Sequence, residues 1–233
     1  MPLAQDVGKM IARGIGPVAT MVAQPHAAGG ALRRVLEVAI DGYGKLPGAK
    51  ASAARQLQRQ EGSVDQAIES LIDFHVRLAS AQGFVTNLGG IAALPVAVPA
   101  NLTGVAVVQM RMVAAIAHLR GYDLNDNRVR TALVMCLLGG EEVVKLIKEG
   151  TLPTSPMAVA TAPVFDPDLD ARVADAVVSD LAGRVGGKNL ALMLTKRMPL
   201  IGGGIGAVVD AVATQQIGKY AKSELVRRRA LRG

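Results

Sequence analysis

The sequence predicts an all-α protein: a single multi-helix bundle that contains an apolar helical hairpin rich in Gly and Pro. Half of the 233 residues are apolar, yet only 3% are aromatic and Trp is absent. Ala, Leu and Met favour helices, whereas strand-rich domains usually carry more Tyr, Phe and Thr. Apolar residues also recur at helical spacing in several segments, and no useful strand-like alternation is found.

Residues 1–62 are interpreted as a loosely specified N-terminal helical region. Gly42, Gly44 and Pro47 predict the end of its clearest helix. Residues 50–60 are polar and predict either a linker or a surface helix. The amphipathic face of the clearest helix is formed by Leu32, Val35, Leu36, Ala39 and Ile40.

Residues 63–220 are predicted to form the main helical domain, and residues 221–233 a basic C-terminal tail. Ser63, with Gln66 three residues later, has the pattern of a capping box and predicts a helix start. Gly83 is the first position at which this helix is expected to end.

The elements that follow are predicted from their capping residues. A helix is expected to end at Gly121, and the next begins with Asn125 or Asp126 as its N-cap. Residues 151–167 contain four prolines and predict an irregular segment. Asp166 is then expected to cap another long helix.

The longest uncharged run of the chain extends from Leu78 to Met110. It exceeds the ~20 apolar residues that a membrane helix requires, but Gly and Pro interrupt it. We therefore predict two helical arms, Phe84–Leu94 and Leu102–Ala117, joined by a corner at 95–101. This hairpin is expected to be re-entrant, interfacial or, as we favour, buried in its own bundle. The residues that shape the hairpin and its close packing are Gly83, Gly89, Gly90, Pro95 and Pro99.

Charge is distributed unevenly, with a formal net charge of +7. Residues 1–62 carry eight basic and four acidic side chains, 63–150 carry seven and eight, and 151–233 carry eleven and seven. Basic ends around a near-neutral middle are typical of proteins that meet a membrane surface or an anionic partner. Nucleic acid is not expected as a partner, because stacking aromatics and known binding motifs are both lacking.

The cellular location is predicted from the single cysteine and from the N-terminus. Cys136 has no internal disulfide partner, which fits a reducing compartment. The first residues show no signal-peptide pattern. We expect a cytoplasmic protein that is peripheral at the inner face of the membrane.

No catalytic residue, metal ligand or cofactor is predicted. Residues 202–207 resemble a dinucleotide-binding fingerprint, but no strand precedes them. The spacing of Gly202 and Gly206 instead favours close packing of two helices. We expect Asp210, which lies among small and apolar residues, to pair with a base from elsewhere in the bundle. Arg111 is the first choice, and Lys196 or Arg197 is the next. The candidate polar or binding residues are His75, Gln82, Gln109, Arg111, His118, Lys196, Arg197 and Asp210.

Several of these residues lie in segments that resemble the EcsC family of bacterial proteins, which is named for its genetic association with an ABC transporter. The segments are HVRLASAQGFVTNLGGIAALPVAVPANLTGVAVVQMRMVAAIAHLRGYDLND and KRMPLIGGGIGAVVDAVATQQIG. Their shared elements are A-x-G-F, P-A-N-L, Q-x-R followed by I-A and G-Y-D, and K-R-x-P-x-I-G-G-x-x-G. The resemblance covers roughly residues 63–220. It implies a membrane-linked role by association and brings no catalytic residue or cofactor.

The function expected from sequence is non-catalytic engagement of the membrane surface or its lipids. The basic tail would attract an anionic leaflet, and the hairpin would supply apolar burial or hold an acyl chain. Two alternatives stay open. One is an enzyme that acts on a lipid or amphiphile in an apolar cleft, with His75, Arg111 or His118 in polar roles. The other is a scaffold partner of a membrane transporter complex. The chain could also form an oligomer through the apolar hairpin.

Overall fold

The computed structural model describes residues 25–43, 46–88, 94–194 and 202–226. These ranges contain nine helices and one ribbon of two very short strands, so the predicted all-α class is confirmed. The elements are α1 (Pro25–Asp41), β1 (Gly42–Tyr43), β2 (Leu46–Pro47), α2 (Ala49–Arg59), α3 (Val64–Leu88), α4 (Leu94–Leu119), α5 (Asn127–Cys136), α6 (Gly140–Lys148), α7 (Pro156–Ala160), α8 (Pro167–Leu194) and α9 (Gly202–Glu224).

Helices α3, α4 and α9 form the centre of the bundle, and their side-chain pairs fix their directions. Asp65 at the start of α3 forms an ion pair of 3.0 Å with Arg120, directly after the end of α4. Glu69, one turn further along α3, pairs with Lys222 near the end of α9. Helix α3 therefore runs antiparallel to both partners, and α4 and α9 run parallel to each other.

Helix α4 is the most deeply buried element of the described structure. Every residue from Gly104 to Ala117 is buried, which is about four turns of helix. A helix that is apolar around its whole circumference must be covered on all sides. Helices α3 and α9 pack against α4, as do α1, α2 and α5.

The N-terminal elements share this core. The predicted face of α1 is buried, and Gly42, with a φ of 87°, ends the helix and begins the ribbon. Helix α2 buries one narrow face, which includes Ala53 and Gln56. Residues 50–60 are thus a surface helix rather than a linker. The division of the chain at residue 62 stays a prediction.

Several helix ends lie where their capping residues predicted them. Asp126 is the N-cap of α5, and its carboxylate accepts a hydrogen bond of 2.9 Å from the backbone N–H of Arg128. Asp166 accepts from the backbone N–H groups of Asp168 and Leu169, at the start of α8. Gly121 follows α4 with a φ of 85°, a conformation that glycine adopts without strain.

Two antiparallel helices, α3 and α4, lie where the hairpin was predicted. Its predicted first arm, Phe84–Leu94, and its predicted corner are wrong, because residues 84–88 belong to α3 and Leu94 belongs to α4. Helix α3 continues through Gly83, and α4 already begins at Leu94, so residues 95–101 are helical. Pro95 is the second residue of α4, where a missing N–H removes no intrahelical hydrogen bond. Pro99 removes only the bond to the carbonyl one turn before it. The two prolines therefore lie in the first turns of a helix.

The connection between the two arms lies at residues 89–93, outside the described residues, together with Gly89 and Gly90. Within the described ranges, no helix is both long enough and apolar enough to cross a membrane. Residues 202–207 are the first turns of α9, and residues 195–201, which precede them, lie outside the described residues. The packing of Gly202 and Gly206 lies outside the described side chains.

Close contact between α9 and its two partners depends on Gly218. A Cβ atom at this position would lie 3.0 Å from Cγ1 of Ile72 on α3 and 3.1 Å from Cε of Met112 on α4. We expect Gly218→Val to lower the free energy of unfolding by ~2 kcal/mol, because a branched side chain overpacks this contact. Urea unfolding measures the change.

Gly183→Ala on α8 is the control for this prediction. A Cβ at Gly183 would meet nothing within 4 Å, and the glycine lies inside a helix. This change should raise the free energy of unfolding by about 0.5–1 kcal/mol, through helix propensity alone. Equal stability of Gly218→Val and the wild type would contradict the packing argument.

Candidate functional site

Two polar residues of the buried helix α4, Gln109 and Arg111, point to different neighbours. Residues two positions apart on an α-helix are about 200° apart around its axis. Arg111 faces α3 and the ribbon, whereas Gln109 faces α9 and a cavity. The Q-x-R element therefore supplies two separate polar positions in the interior.

Arg111 is held by neutral acceptors. Its Nε donates to Nε2 of His75 at 3.1 Å, and its Nη1 donates to the carbonyl oxygen of Pro47 at 3.4 Å. Because the guanidinium only donates, Nε2 of His75 must accept, which places the ring proton on Nδ1. This Nδ1 then donates to the carbonyl oxygen of Leu71 at 2.8 Å. Both side chains are buried.

Burial sets the charge states of this pair. Burial, and secondarily the charge of Arg111, lowers the pKa of His75 to about 3, so the imidazole is neutral near pH 7. Burial, and secondarily the charge of Arg55, lowers the pKa of Arg111 to about 10. Among the described residues, no carboxylate forms an ion pair with Arg111. The pair therefore joins α3, α4 and the ribbon as a structural connection.

The residues considered for an enzyme do not meet at one cavity. His118 is exposed in the last turn of α4, two turns from Arg111, and partial burial of its ring, and secondarily the charge of Lys50, lowers its pKa. His75, Arg111 and His118 line none of three cavities that the described residues form: the one between α1, α5 and α8, the one between α4, α8 and α9, and the one between α6 and α8. The side chain of Gln82 lies outside the described residues.

The side chain of Asp210 is buried on α9 and interacts with another part of the protein. Its first expected partner, Arg111, is instead bonded to His75 and Pro47, so that pairing is not formed. Lys196 and Arg197, the other two bases considered, lie outside the described residues. Asp210 lines the same cavity as Gln109.

This cavity of about 230 Å³ lies between α4, α8, α9 and the turn after α5. The amide of Gln109 donates through Nε2 to Oγ1 of Thr214 at 3.1 Å. Its Oε1 is buried and has no hydrogen-bond partner in the described part of the structure. The apolar part of the lining is formed by Val105, Leu138, Leu181, Val209, Ala213 and Ile217.

Arg184 supplies a positive charge to the lining, and sequence analysis missed it. Its Nη2 donates to the carbonyl oxygens of Leu137 and Leu138, at 3.1 and 3.3 Å, and pairs with Asp180 at 2.7 Å. The guanidinium thus satisfies carbonyls that the end of α5 leaves free. The four-residue spacing from Asp180 to Arg184 indicates an ion pair on one face of a helix. It does not indicate the cavity.

A second cavity of about 460 Å³ separates α1 from α5 and α8. Arg33 crosses it to Asp170 in an ion pair of 3.3 Å, and Asp170 also accepts from Oγ1 of Thr131 at 2.6 Å. Arg33 is largely exposed, so this ion pair contributes little to stability. Sequence analysis did not identify this cleft.

One end of the central bundle is uncharged. The helix directions bring the C-terminal end of α3 together with the N-terminal ends of α4 and α9. Residues 82–88, 94–103 and 202–207, which form these helix ends, contain no charged residue. Directly beyond them on α9, Val208 is 62% exposed and Val212 is 47% exposed. The opposite end carries the Asp65–Arg120 ion pair.

The basic tail begins at that opposite end. Helix α9 has 23 residues and is therefore ~34 Å long. Leu225 and Val226 follow its C-terminus, and Arg227, Arg228 and Arg229 come directly after them in the chain. The sequence predicted that the hairpin supplies apolar burial and that the basic tail supplies attraction to the membrane, and the tail starts from the end of α9 that lies away from the uncharged helix ends.

The model of the EcsC protein family matches residues 35–145. The match begins within α1 and ends within α6, so it contains the α3–α4 hairpin, Gln109 and Arg111. The match begins before residue 63 and ends before residue 220, the bounds of the sequence resemblance, so the second resembling segment lies outside it. No curated protein and no solved structure matches the chain.

The lowered pKa of His75 makes stability depend on pH. In the unfolded chain a histidine binds a proton below about pH 6.5, whereas buried His75 stays neutral down to about pH 3. Stability is therefore fully present above about pH 6.5 and is lost as pH falls towards 3. We expect a loss of ~2 kcal/mol between pH 7 and pH 5 from this residue.

His75→Gln isolates this effect, because glutamine can accept from Nε of Arg111 but does not titrate. Urea unfolding at pH 7 and pH 5 should show a pH-dependent loss that is ~2 kcal/mol smaller in the variant. His118→Gln, at an exposed position, should change the pH dependence much less. Identical pH dependence of His75→Gln and the wild type would exclude a neutral, buried His75.

Proposed function

Through residues 35–145 the chain belongs to the EcsC protein family, and from this premise we propose that it attaches to the membrane surface through the uncharged end of its helical bundle. The observation that carries the proposal is the meeting of three uncharged helix ends next to exposed valines on α9. An exposed apolar surface on a soluble fold is typical of an interaction site.

The apolar contribution alone supports weak, reversible attachment. Val208, Val209 and Val212 are 62%, 42% and 47% exposed. Moving a half-exposed valine out of water contributes roughly 1 kcal/mol, so the three together contribute roughly 3 kcal/mol. Peripheral anchors of this strength need a second signal, commonly basic residues near anionic lipids.

We assign that second signal to bases close in sequence to the uncharged end. Lys188 belongs to the last turns of α8, and Lys196 and Arg197 lie in the chain between α8 and α9. Each basic residue near an anionic leaflet contributes ~1 kcal/mol. The tail is not assigned this role, because it begins a helix length away from the exposed valines.

The exposed valines give the first test. We expect Val208→Glu combined with Val212→Glu to reduce binding to mixed phosphatidylcholine–phosphatidylglycerol vesicles by about tenfold or more, since apolar area is lost and charge repulsion is gained. Vesicle flotation measures the bound fraction. Val144→Glu, at a 50% exposed position on α6, is the control and should bind like the wild type.

Unchanged flotation of the double variant would exclude this end as the membrane-binding surface. Failure of the wild type to float with any vesicle would reject membrane attachment as a whole. The exposed valines would then be better explained by a protein partner.

The two ends of the bundle can be distinguished by a matched pair of charge reversals. Lys196→Glu with Arg197→Glu should weaken binding to the anionic vesicles by about tenfold or more. Arg228→Glu with Arg229→Glu changes the net charge by the same amount and should have a much smaller effect. A larger loss from the tail variant would place the membrane-binding surface at the other end.

A further inference from the structure

We propose that the cavity between α4, α8 and α9 binds a small neutral amphiphile, an aliphatic chain that ends in a hydroxyl group. Three features of the cavity support this: its apolar walls, an unsatisfied amide oxygen, and charges of both signs at its lining. This inference does not rest on membrane attachment, because the cavity is formed by the protein alone.

The walls fit an aliphatic chain better than water. Six apolar side chains contribute to the lining of a volume of about 230 Å³. That volume equals about eight waters at ~30 Å³ each, but a buried water needs two to four polar partners. The polar side chains of the lining are those of Gln109, Arg184, Asp210 and Gln216, and the apolar side chains that form the rest of the wall offer a water molecule no hydrogen bond.

Gln109 provides the specific polar contact. It is 1% exposed, its Nε2 is used by Thr214, and its Oε1 has no hydrogen-bond partner among the described residues. An unsatisfied buried acceptor costs about 1–3 kcal/mol, which a donor on a ligand would recover. A hydroxyl group donates one hydrogen bond and also accepts, so it suits an amide oxygen and the guanidinium of Arg184 in the same cavity.

The charges that line the cavity favour neither sign of an ionised head group, because Asp210 and Arg184 are opposite in charge. An ionised group of either sign loses its hydration on entry, and a carboxylate also has no hydrogen to donate to Oε1 of Gln109. A neutral hydroxyl has less hydration to lose and can donate. The chain of the ligand reaches solvent at Val209, which both lines the cavity and is 42% exposed.

The test compares 1-hexanol, hexane and hexanoate, which share a chain length and differ in their head group. Binding to the intact protein is followed by NMR at the backbone amide of Gly139, which lines the cavity. We expect saturable shifts with 1-hexanol, an affinity about fivefold lower for hexane through the lost hydrogen bond, and no saturable shift with hexanoate.

Gln109→Met removes the acceptor at similar volume and should make 1-hexanol and hexane bind equally. Ala213→Leu fills the cavity from α9 and should abolish the binding of 1-hexanol and of hexane. This variant tests the proposal even if Gln109→Met does not fold. Gln58→Met, at an exposed position on α2, makes the same chemical change and should leave binding unaltered.

The inference is overturned if 1-hexanol gives no saturable shift, or if hexane or hexanoate binds the wild type as tightly as 1-hexanol. It is also overturned if Gln109→Met keeps the preference for the alcohol, or if Ala213→Leu keeps binding. None of these results bears on vesicle flotation, so the two proposals fail independently.

Discussion

The complete burial of α4 between Gly104 and Ala117 is the constraint on which the rest of the structure depends. A helix covered on every side needs neighbours all around it, and α1, α2, α3, α5 and α9 supply them. The same burial requires every polar group on α4 to find its partner inside the protein. Arg111 meets that requirement fully and has a structural role. Gln109 meets it only in part and is a candidate for ligand binding.

Arg111 uses neutral partners throughout: the ring of His75 and the carbonyl of Pro47. This arrangement ties α3 and the ribbon to the central helix and keeps His75 uncharged. A histidine held with both ring nitrogens bonded, away from any described cavity, is poorly suited to moving protons. Gln109 lies two residues earlier, has an unused oxygen and lines a cavity, so it is the α4 residue available to a ligand.

Local signals predicted the helix ends well, because Asp126, Asp166 and Gly121 act on backbone groups within a few residues. The hairpin corner was misplaced because Pro95 and Pro99 lie in the first turns of α4, where together they remove a single intrahelical hydrogen bond. The bond between Arg111 and His75 joins residues 36 positions apart, and the cavity combines α4 with α8 and α9, which come much later in the chain. No local sequence pattern encodes such long-range contacts. The polar residues could therefore be identified from the sequence, but their positions relative to one another could not.

The directions of α3, α4 and α9 also make the bundle asymmetric along its axis, with ion pairs at one end and uncharged helix ends at the other. Val209 lines the cavity and lies beside Val208 and Val212 on α9, and all three valines are proposed to meet the membrane. An amphiphile held at this apolar surface would therefore lie next to a residue of the cavity lining. Attachment depends on exposed valines and nearby bases, whereas ligand selection depends on Gln109 and the charges around it. The two proposals share one region of the bundle and one residue, Val209, and otherwise use different side chains.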